Sequence, residues 1–511
     1  MIFLSKIKVF LFNGVLLTLT SIFLKSIDMF FSIYISNKIG SEAVGVYGLI
    51  MSVYMLFITL ANSGTNLAAS RIVSEQMAYN SDTGMKSAIK KCITYSLIMG
   101  LLSFLLLFTF SSYISTYWLH EKISSLPLKI IAISLPFLSV SSSINGYFSA
   151  IRNIKKTAYA QILEQLLKIT FVVFFMNLFM PLNIEYACIG LVLGSCISEV
   201  ASFLLLYIFY IKNIKLINSK NCKRENFAKQ ILRIVVPIAF TSYIRSGLST
   251  LKQILIPIRL EKSGISCEKA LSQYGIVNGM AMPLIMFPCL FISSFSMLLI
   301  PEFSYLNAKR SFNKINYAIN KIFKFCFIFS FLIMGIFWCF STELSAYIYK
   351  GQDVSIFIKV LSPLIVLMYV DNIVDSILKG LDKQISVMGI NILDLLTSIT
   401  FIYFLLPING IKGYIIVLFI SEFLNGIISL LLLLKQTHLN FDFINWLFKP
   451  SLAIFFINFL FKNYPCNTLS DLILQIILFC ICYFVVIILL KGLVKEDFNE
   501  FCNSKNLYKK K

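Results

Sequence analysis

The sequence predicts an all-α polytopic membrane protein with about fourteen transmembrane helices, arranged as two six-helix lobes and two further helices. Three observations lead to this prediction. The 511 residues are 58% hydrophobic and only 14% charged, whereas soluble chains are roughly a quarter charged. The apolar residues come in blocks of about 18 to 27, long enough to cross a hydrocarbon core of about 30 Å. The two-residue alternation of a membrane barrel is absent.

Six apolar blocks make up the predicted N-terminal lobe, residues 1–225. Polar or basic residues separate them, as expected for the ends of membrane spans. The blocks cover about Val9–Ile35, Val44–Ala68, Ile93–Tyr117, Leu128–Ala150, Ala158–Met180 and Ile184–Tyr210. The first block is too long for a signal-peptide core and has no small-residue cleavage pattern, so we expect it to remain as helix one.

The predicted C-terminal lobe, residues 226–437, holds six more blocks, and residues 438–511 hold two extra helices and a basic tail. The lobe's blocks cover about Ile234–Ile258, Tyr274–Ile300, Ile322–Phe340, Ile356–Leu378, Ile385–Leu406 and Tyr414–Leu434. The extra helices cover about Phe443–Phe461 and Leu472–Leu490. Helix eight contains Pro283 and Pro288, which are expected to kink it because proline lacks a backbone donor.

The net charge of +21 is better explained by basic loops on the cytoplasmic side of the membrane than by a nucleic-acid partner. Segments on the side of the N-terminus hold about thirty Lys and Arg, against about ten on the other side. The most basic are Lys90–Lys91, Arg152–Lys156, Lys212–Arg233, Lys309–Lys321 and Lys509–Lys511. We therefore expect a multi-pass protein of the cell membrane with both termini in the cytoplasm and no nucleic-acid partner.

Several kinds of chemistry have no support in the sequence. A phosphate-binding Gly-x-x-x-x-Gly-Lys-Ser/Thr loop is absent, so we expect no ATP motor in this chain. His120 and His438 lie beside loops without a metal motif or a catalytic partner. The twelve cysteines lie mostly in apolar blocks and are interpreted as small apolar fillers. We therefore expect no metal, no cofactor and no enzymatic activity.

Two pairs of ionisable residues lie inside predicted helices, where charge is expensive and commonly marks a functional site. Lys25 and Asp28 are three residues apart in helix one and share a face. Arg245 and Lys252 are seven apart in helix seven and also share a face. Structural alternatives stay open: Lys25 and Asp28 neutralise each other, and Arg245 and Lys252 snorkel or pair with distant acids.

Two other basic residues inside helices have plain explanations. Lys168 follows Glu164 by one helical turn, and pairs at this spacing are common structural features. Lys324 lies near the predicted cytoplasmic end of helix nine, where a long side chain can reach water. Neither residue is predicted to bind a substrate.

Acidic residues in helices ten and eleven form a second candidate site. Asp371 and Asp375 share one face of helix ten, and Asp394 follows in helix eleven. Their carboxylates are candidates for binding a coupling cation, Na⁺ or H⁺. The alternative for Asp375 is an ordinary ion pair with Lys379 one turn later.

A weak internal repeat accompanies the ionisable pairs. With a shift of 227 residues, Lys25 falls on Lys252 and Tyr47–Gly48 falls on Tyr274–Gly275. Over Lys8–Glu75, about eleven of sixty-eight positions are identical, roughly twice what composition gives. Two related six-helix lobes explain such a repeat, and transporters built this way place the substrate between lobes that rock against each other.

Several longer strings resemble one known family. The strings are Ile39–Tyr47, Ser63–Gly64, Ala69–Glu75, Ile254–Leu260, Glu268–Gly275 and Gly279–Pro288. They are similar to those of the multidrug/oligosaccharidyl-lipid/polysaccharide (MOP) exporter superfamily. Within it, the chain resembles the stage V sporulation protein B group of polysaccharide-biosynthesis membrane proteins.

The resemblance implies two six-helix bundles around a central cavity and the movement of undecaprenyl-pyrophosphate-linked sugars across the membrane. For the sporulation group, the implied cargo is the peptidoglycan precursor lipid II, used for the spore cortex. Relatives often carry a second basic residue late in helix one, where this chain has Ser32, and Asp28 replaces a small residue. This departure indicates a different charge in the first lobe's half of the cavity and raises the hypothesis of a different glycan.

The implied substrate fits the ionisable residues. A lipid-linked sugar carries an anionic pyrophosphate, which Lys25, Arg245 and Lys252 can hold by charge-assisted hydrogen bonds. We therefore expect a lipid II-type flippase working by alternating access, with membrane lipids and cell-wall synthesis proteins as candidate partners. Two alternatives stay open: a cation-coupled small-molecule exporter of the MATE type, and a membrane scaffold for wall synthesis that does not transport.

Overall fold

The computed structural model describes residues 2–79, 81–118, 125–179, 184–215, 227–437, 442–461 and 468–492, with side chains from residue 20 onwards apart from Ile184. Every regular element in these ranges is a helix, as predicted. In the first half they are α1 (Ile2–Asn62), α2 (Thr65–Ala78), α3 (Asp82–Tyr113), α4 (Leu126–Ala132), α5 (Leu135–Ala150), α6 (Ile154–Phe179), α7 (Ile184–Lys215) and α8 (Ala228–Glu261).

The second half adds ten helices within the described ranges. They are α9 (Cys267–Tyr274), α10 (Met282–Met286), α11 (Cys289–Ala308), α12 (Phe312–Cys339), α13 (Ser341–Ile348), α14 (Ser355–Leu361), α15 (Leu364–Gly380), α16 (Gln384–Thr437), α17 (Lys449–Phe461) and α18 (Leu469–Leu489). Short π-helical segments cover Ile114–Trp118, Gly275–Ala281 and Ile444–Phe448.

Eleven helices of the described ranges are long and apolar enough to cross a membrane, or twelve if α14 and α15, bent by 52° at their junction, form one span. The longest two, α1 and α16, each contain a glycine with a non-helical backbone, Gly40 (φ 81°) and Gly410 (φ 55°). A positive φ favours glycine. The two breaks fall in the gaps predicted between helices one and two and between helices eleven and twelve. The total of fourteen remains a prediction.

Prolines account for most other differences from the predicted helices. Pro136 lies in the first turn of α5 and divides predicted helix four. Pro363 precedes α15 and divides predicted helix ten, and Pro288 precedes α11. The break between α10 and α11 at Pro288 lies where helix eight is predicted to kink. The polar stretch Arg71–Lys91 is largely helical, because α2 and α3 extend through it.

The described residues form two compact units, each with a discontinuous sequence. Unit 1 comprises those of residues 1–279 and 391–417, and unit 2 comprises those of residues 280–390 and 418–511. The core of unit 1 buries Ala69, Ile72, Ile89, Ile144 and Val235, from α2, α3, α5 and α8. The predicted lobe boundaries at residues 225 and 437 remain predictions.

Within unit 1, the second half of α1 crosses α9 and the π-helical segment after it at backbone distance. A Cβ atom on Gly45 would lie 2.2 Å from the carbonyl oxygen of Leu271, and one on Gly275 would lie 2.0 Å from that of Ser41. The hydroxyls of Ser41 and Ser272 are hydrogen-bonded at 2.7 Å. Because the backbones touch, only glycine fits at the two crossing positions.

In unit 2, the last two described helices pack on α12. The rings of Phe323 in α12 and Trp446 lie 5.3 Å apart in an edge-to-face arrangement. The hydroxyl of Tyr483 in α18 donates to the carbonyl oxygen of Ile328 at 2.9 Å. The extra helices therefore attach through aromatic residues buried inside the apolar helix layer.

Turns at the helix ends support the internal repeat. The turn Tyr147–Asn153 after α5 and the turn Ile377–Lys383 after α15 have the same three backbone hydrogen bonds. In both, the sixth residue has a left-handed backbone: Arg152 (φ 58°) and Asp382 (φ 63°). These turns are 230 residues apart (382 − 152), as are Ile169-Thr170-Phe171 and Ile399-Thr400-Phe401, which extends the repeat beyond Lys8–Glu75.

The turns that follow α2 and α11 obey the same offset. Two backbone hydrogen bonds close the first turn, from Tyr79 to Glu75 and from Ser81 to Gln76, and the bonds from Lys309 and Ser311 close the second in the same way (309 − 79 = 230). The second copy therefore has three more residues than the offset of 227 at Tyr47–Gly48. They lie after Gly275, where the π-helical segment and the break at Pro288 occur.

Candidate functional site

Helix α8 carries three cations on one face. It extends to Glu261, past the predicted end at Ile258, and so includes Arg259 as well as Arg245 and Lys252. The three are seven residues apart, close to two helical turns, so their side chains leave the helix in nearly the same direction at steps of about 10 Å. Sequence analysis selected the first two; the longer helix adds the third.

Two of these cations contact the part of α16 that belongs to unit 1. The Lys252 ammonium donates to the hydroxyl oxygen of Ser398 at 3.0 Å. The Arg259 guanidinium carbon lies 3.4 Å from the centre of the Tyr403 ring. Arg245 is exposed and makes no hydrogen bond or ion pair with a residue that the structure describes. The cationic face is therefore shared between α8 and α16.

The predicted pair in helix one is arranged differently from the expectation. Asp28 accepts a hydrogen bond from the Gln165 side-chain amide at 2.8 Å and forms an ion pair with Lys168 at 3.4 Å. Lys25 is exposed and has neither kind of bond to any described residue. Asp28 is therefore balanced by Lys168 of α6 and not by Lys25, and Lys168 pairs with Asp28 and not with Glu164.

Sequence analysis did not select an acidic residue that lies in the middle of α7. The Tyr54 hydroxyl donates to the Glu199 carboxylate at 2.6 Å and is also bonded to the Ser134 hydroxyl at 2.5 Å. Glu199 lies within the membrane-spanning range Glu185–Lys215. Its signal in the sequence is a single acid inside an apolar block, which marks a functional or hydrogen-bonded position.

The three acids predicted to bind a coupling cation are divided between the units. Asp394 belongs to unit 1 and lies one turn before Ser398, on the side of α16 that Lys252 contacts. Asp371 and Asp375 belong to unit 2. Asp375 forms the ordinary ion pair with Lys379, at 3.5 Å.

Asp371 lies beside a group of buried oxygens in unit 2. Its carboxylate accepts a hydrogen bond from the Asn425 side-chain amide at 2.9 Å. The amide oxygen of Asn425 and the hydroxyl of Ser429, one turn later, are buried and have no hydrogen-bond partner. Carboxylate, amide and hydroxyl oxygens are the ligands that hard cations prefer.

Metal-binding clusters are not found in the described ranges. No three residues among the His, Cys, Asp and Glu of those ranges are grouped so that they could hold a metal ion. His120 and His438 lie outside the described residues. The described candidate residues are thus the cations of α8 in unit 1 and, separately, the oxygen ligands beside Asp371 in unit 2.

The face of α8 is suited to an anion. Charged side chains in a membrane-spanning helix rarely face lipid, because the hydrocarbon cannot solvate them. The cations of this face are therefore expected to lie toward polar groups, as Lys252 does toward Ser398. Lys and Arg side chains bind phosphate oxygens through charge-assisted hydrogen bonds, and arginine can bind two oxygens at once.

Family comparison decides what kind of protein carries this site. The model of the family described as "Polysaccharide biosynthesis protein" matches residues 11–307, more than half of the chain. The chain belongs to the polysaccharide biosynthesis protein family. A second model, MatE, matches residues 263–404 of the same chain. The two matches place this polysaccharide biosynthesis protein in the MOP superfamily, as the resemblance implied.

Individual relatives agree with this family and superfamily. Stage V sporulation protein B of Bacillus subtilis (strain 168) is 27% identical over 389 residues, 75% of this chain and 75% of the relative. The solved structure of the lipid II flippase MurJ in an inward closed conformation has a TM-score of 0.70 at 16% identity, covering 92% of this chain and 98% of that chain. An inward-facing MATE family transporter has a TM-score of 0.65 at 15% identity, covering 81% and 94%.

These likenesses confirm the predicted fold class. The solved structures share the all-helical transporter fold with this polysaccharide biosynthesis protein. Membership of the family and of the MOP exporter superfamily makes the protein a multi-pass membrane transporter and not an enzyme.

Proposed function

We propose that the protein is a flippase for lipid-linked oligosaccharides, and that its cargo is a lipid II-type undecaprenyl pyrophosphate for the spore cortex. The relative from Bacillus subtilis is named for sporulation, and one structure with the same fold is a lipid II flippase. Both termini lie in the cytoplasm in this proposal, and lobes 1–225 and 226–437 alternate in access, with residues 438–511 outside them.

The cationic face of α8 is the observation that carries the proposal. Arg245 is an exposed cation within a membrane-spanning helix and has no acidic partner in the described ranges. An uncompensated charge at that depth is expensive, whereas a pyrophosphate supplies the missing negative charge. Lys252 and Lys25, which correspond in the repeat, add positive charge from α8 and α1.

A coupling cation fits unit 2 better than unit 1. Asp371, with the buried oxygens of Asn425 and Ser429, offers the oxygen ligands of a Na⁺ site. Asp375 is paired with Lys379, and Asp394 belongs to unit 1, so neither is assigned to this site. The membrane potential offers a second driving force, worth about 2.3 kcal/mol per charge per 100 mV.

The test is the appearance of lipid II on the outer face of cells whose sole candidate flippase is this protein. Wild type is compared with Lys25→Ala, Arg245→Ala and Lys252→Ala at equal membrane abundance. We expect exposure with wild type and a loss of about tenfold or more in each variant, since each removes a charge-assisted contact. Lys324→Ala, which removes a cation from α12 of unit 2, outside α8, is the matched control and should retain exposure.

Other outcomes separate the alternatives. Exposure that survives all three substitutions would keep flipping and reject the cationic site. Absence of exposure with wild type, beside a working positive control, would reject lipid II as cargo. Export of a small cation under an ion gradient would then favour the MATE-type exporter. Wall synthesis that survives all three substitutions without transport would favour a scaffold.

A further inference from the structure

We propose that Arg259 and Tyr403 form a second anion-binding position, the exit station, at the C-terminal end of α8. In this proposal the pyrophosphate group is first held at Lys252 and then passes to Arg259. The identity of the anion rests on the proposed function, whereas the exit station itself rests on contacts within unit 1.

Stacking on Tyr403 prepares Arg259 for an anion. A guanidinium over the face of an aromatic ring is attracted by the ring and held in a fixed plane. At 3.4 Å from the ring centre, the Arg259 guanidinium is in direct contact with it. Its N–H groups lie in the guanidinium plane, so the stack leaves them directed at a ligand beside the ring and not at the ring itself.

The donors of Arg259 are not used by the described protein. Its Nε–H group is buried and has no hydrogen-bond partner, and no described acid forms an ion pair with it. Glu261, two residues later, leaves the helix about 200° away and does not pair with it. A buried donor without an acceptor is costly, and a phosphate oxygen would satisfy it.

Spacing along α8 makes the exit station a separate position. Arg259 lies seven residues beyond Lys252, a step of about 10 Å, which is much longer than a hydrogen bond. It is also at the opposite end of α8 from the basic residues Lys229 and Arg233. An anion that moves from Lys252 to Arg259 therefore travels toward the far end of the helix.

The repeat shows that the exit station is asymmetric. Arg259 corresponds to Ser32 in the first copy (259 − 227 = 32), and Tyr403 corresponds to Val173 (403 − 230 = 173). Neither the cation nor the aromatic ring has a counterpart there. The exit station therefore belongs to α8 and α16 alone and not to the shared scaffold.

An alternative role for Arg259 is a plain helix-end cation, which complements the negative end of the helix dipole. Such a role predicts that any cation at this end is equivalent. Lys262, the residue that follows α8, supplies the matched control, because Lys262→Gln removes one positive charge from the same helix end.

The first experiment measures binding of inorganic pyrophosphate to the full-length protein in lipid nanodiscs by calorimetry. We expect one site fewer than wild type in Arg259→Gln and in Lys252→Gln, and two fewer in the double variant. Tyr403→Leu should weaken pyrophosphate binding at the Arg259 site about tenfold. In Tyr403→Phe and Lys262→Gln the affinity of this site should stay within about twofold of wild type. Inorganic phosphate as a second probe should bind Arg259→Lys as it binds wild type.

The second experiment measures lipid II exposure with the same variants. Arg259→Gln should slow exposure about tenfold while pyrophosphate still binds at Lys252. Unchanged site number and unchanged exposure in Arg259→Gln, or an equal loss in Lys262→Gln, would overturn the exit station. If Arg259→Gln does not fold, the comparison of Tyr403→Phe with Tyr403→Leu tests the exit station instead, and equal exposure in these two variants would overturn it.

The two proposals fail in different ways. A pyrophosphate site that is lost in Arg259→Gln and kept in Lys252→Gln, without lipid II exposure by wild type, would reject the proposed cargo and keep the exit station. Lipid II exposure that depends on Lys252 but not on Arg259 would reject the exit station alone.

Discussion

Two helix contacts occupy the same place in the two copies of the repeat, yet they carry different charges. In the first copy, Asp28 of α1 pairs with Lys168 of α6. In the second, Lys252 of α8 donates to Ser398 of α16. Lys168 corresponds to Ser398 (168 + 230 = 398). Lys252 corresponds to Lys25 (25 + 227 = 252), which lies three residues before Asp28 on α1. The scaffold keeps the contact between helices and changes the ions that meet there.

The difference teaches how one fold acquires a preference for anions. The lysine that balances an acid in the first copy is a neutral serine in the second, so the positive charge there comes from α8. Glu164 and Asp394 also correspond (164 + 230 = 394), so an acid is retained at the same place in both copies. Single residues therefore determine the charge at this helix contact, while both copies share the arrangement of the helices. Substitutions can exchange that charge.

The largest effect is expected when the second contact is given the charge pattern of the first. Ser398→Asp places a carboxylate at the atom that Lys252 contacts, and should hold the ammonium away from a phosphate. We expect lipid II exposure to fall about tenfold to a hundredfold, the value of one or two charge-assisted hydrogen bonds. Ser398→Asn has a similar size without the charge and should retain most exposure; equal loss in both would contradict the charge explanation.

A smaller effect is expected when the first contact is broken. Lys168→Met leaves Asp28 without its cation and should lower the stability of the protein by about 1–2 kcal/mol, a modest value because both side chains are partly exposed. Asp28→Asn in the same protein should restore most of the loss. Thermal unfolding of the two single variants and the double variant measures the coupling, and additive losses would show that the pair is not coupled.

The smallest effect is expected at the turns that mark the repeat. Arg152 and Asp382 have left-handed backbones, which cost about 1 kcal/mol for most residues and less for aspartate. Arg152→Gly should therefore raise the stability by up to about 1 kcal/mol, and Asp382→Gly should raise it by less. Thermal unfolding checks both, and a larger gain at Asp382 would show that the two turns are not equivalent.

Much of the fold follows from the sequence because the bilayer imposes length and polarity on each helix. The breaks at Gly40 and Gly410 lie where polar or small residues interrupt the apolar blocks. The sequence did not predict that predicted helices four and ten are divided at Pro136 and Pro363, since a proline at the start of one helix also fits the interior of a kinked helix. The offset of 230 is also present in the sequence, where Ile169-Thr170-Phe171 recurs as Ile399-Thr400-Phe401, and it was missed because a single offset of 227 does not align this segment.

The candidate site was predicted in its residue types more than in its pairings. Arg245 and Lys252 were found because charge is rare in an apolar block. The partner of Asp28 was missed, because Lys168 lies 140 residues later and sequence spacing favoured Glu164, one turn away. Arg259 was missed because the predicted helix ended one residue before it. Contacts between helices that are distant in the sequence depend on how the helices pack, and the periodicity of the sequence does not predict that packing.

The discontinuous sequence of unit 1 has a consequence for synthesis of the protein. Residues 391–417 complete unit 1, yet they follow residue 279 by 112 positions (391 − 279). At roughly 5–20 residues per second, a ribosome needs about 6–20 s to reach them. During that interval α8 is already in the membrane with Lys252 and Arg259 but without Ser398 and Tyr403. The nascent chain must therefore accommodate two cations until residues 391–417 are synthesised, which makes this interval a natural point for an insertion factor to act.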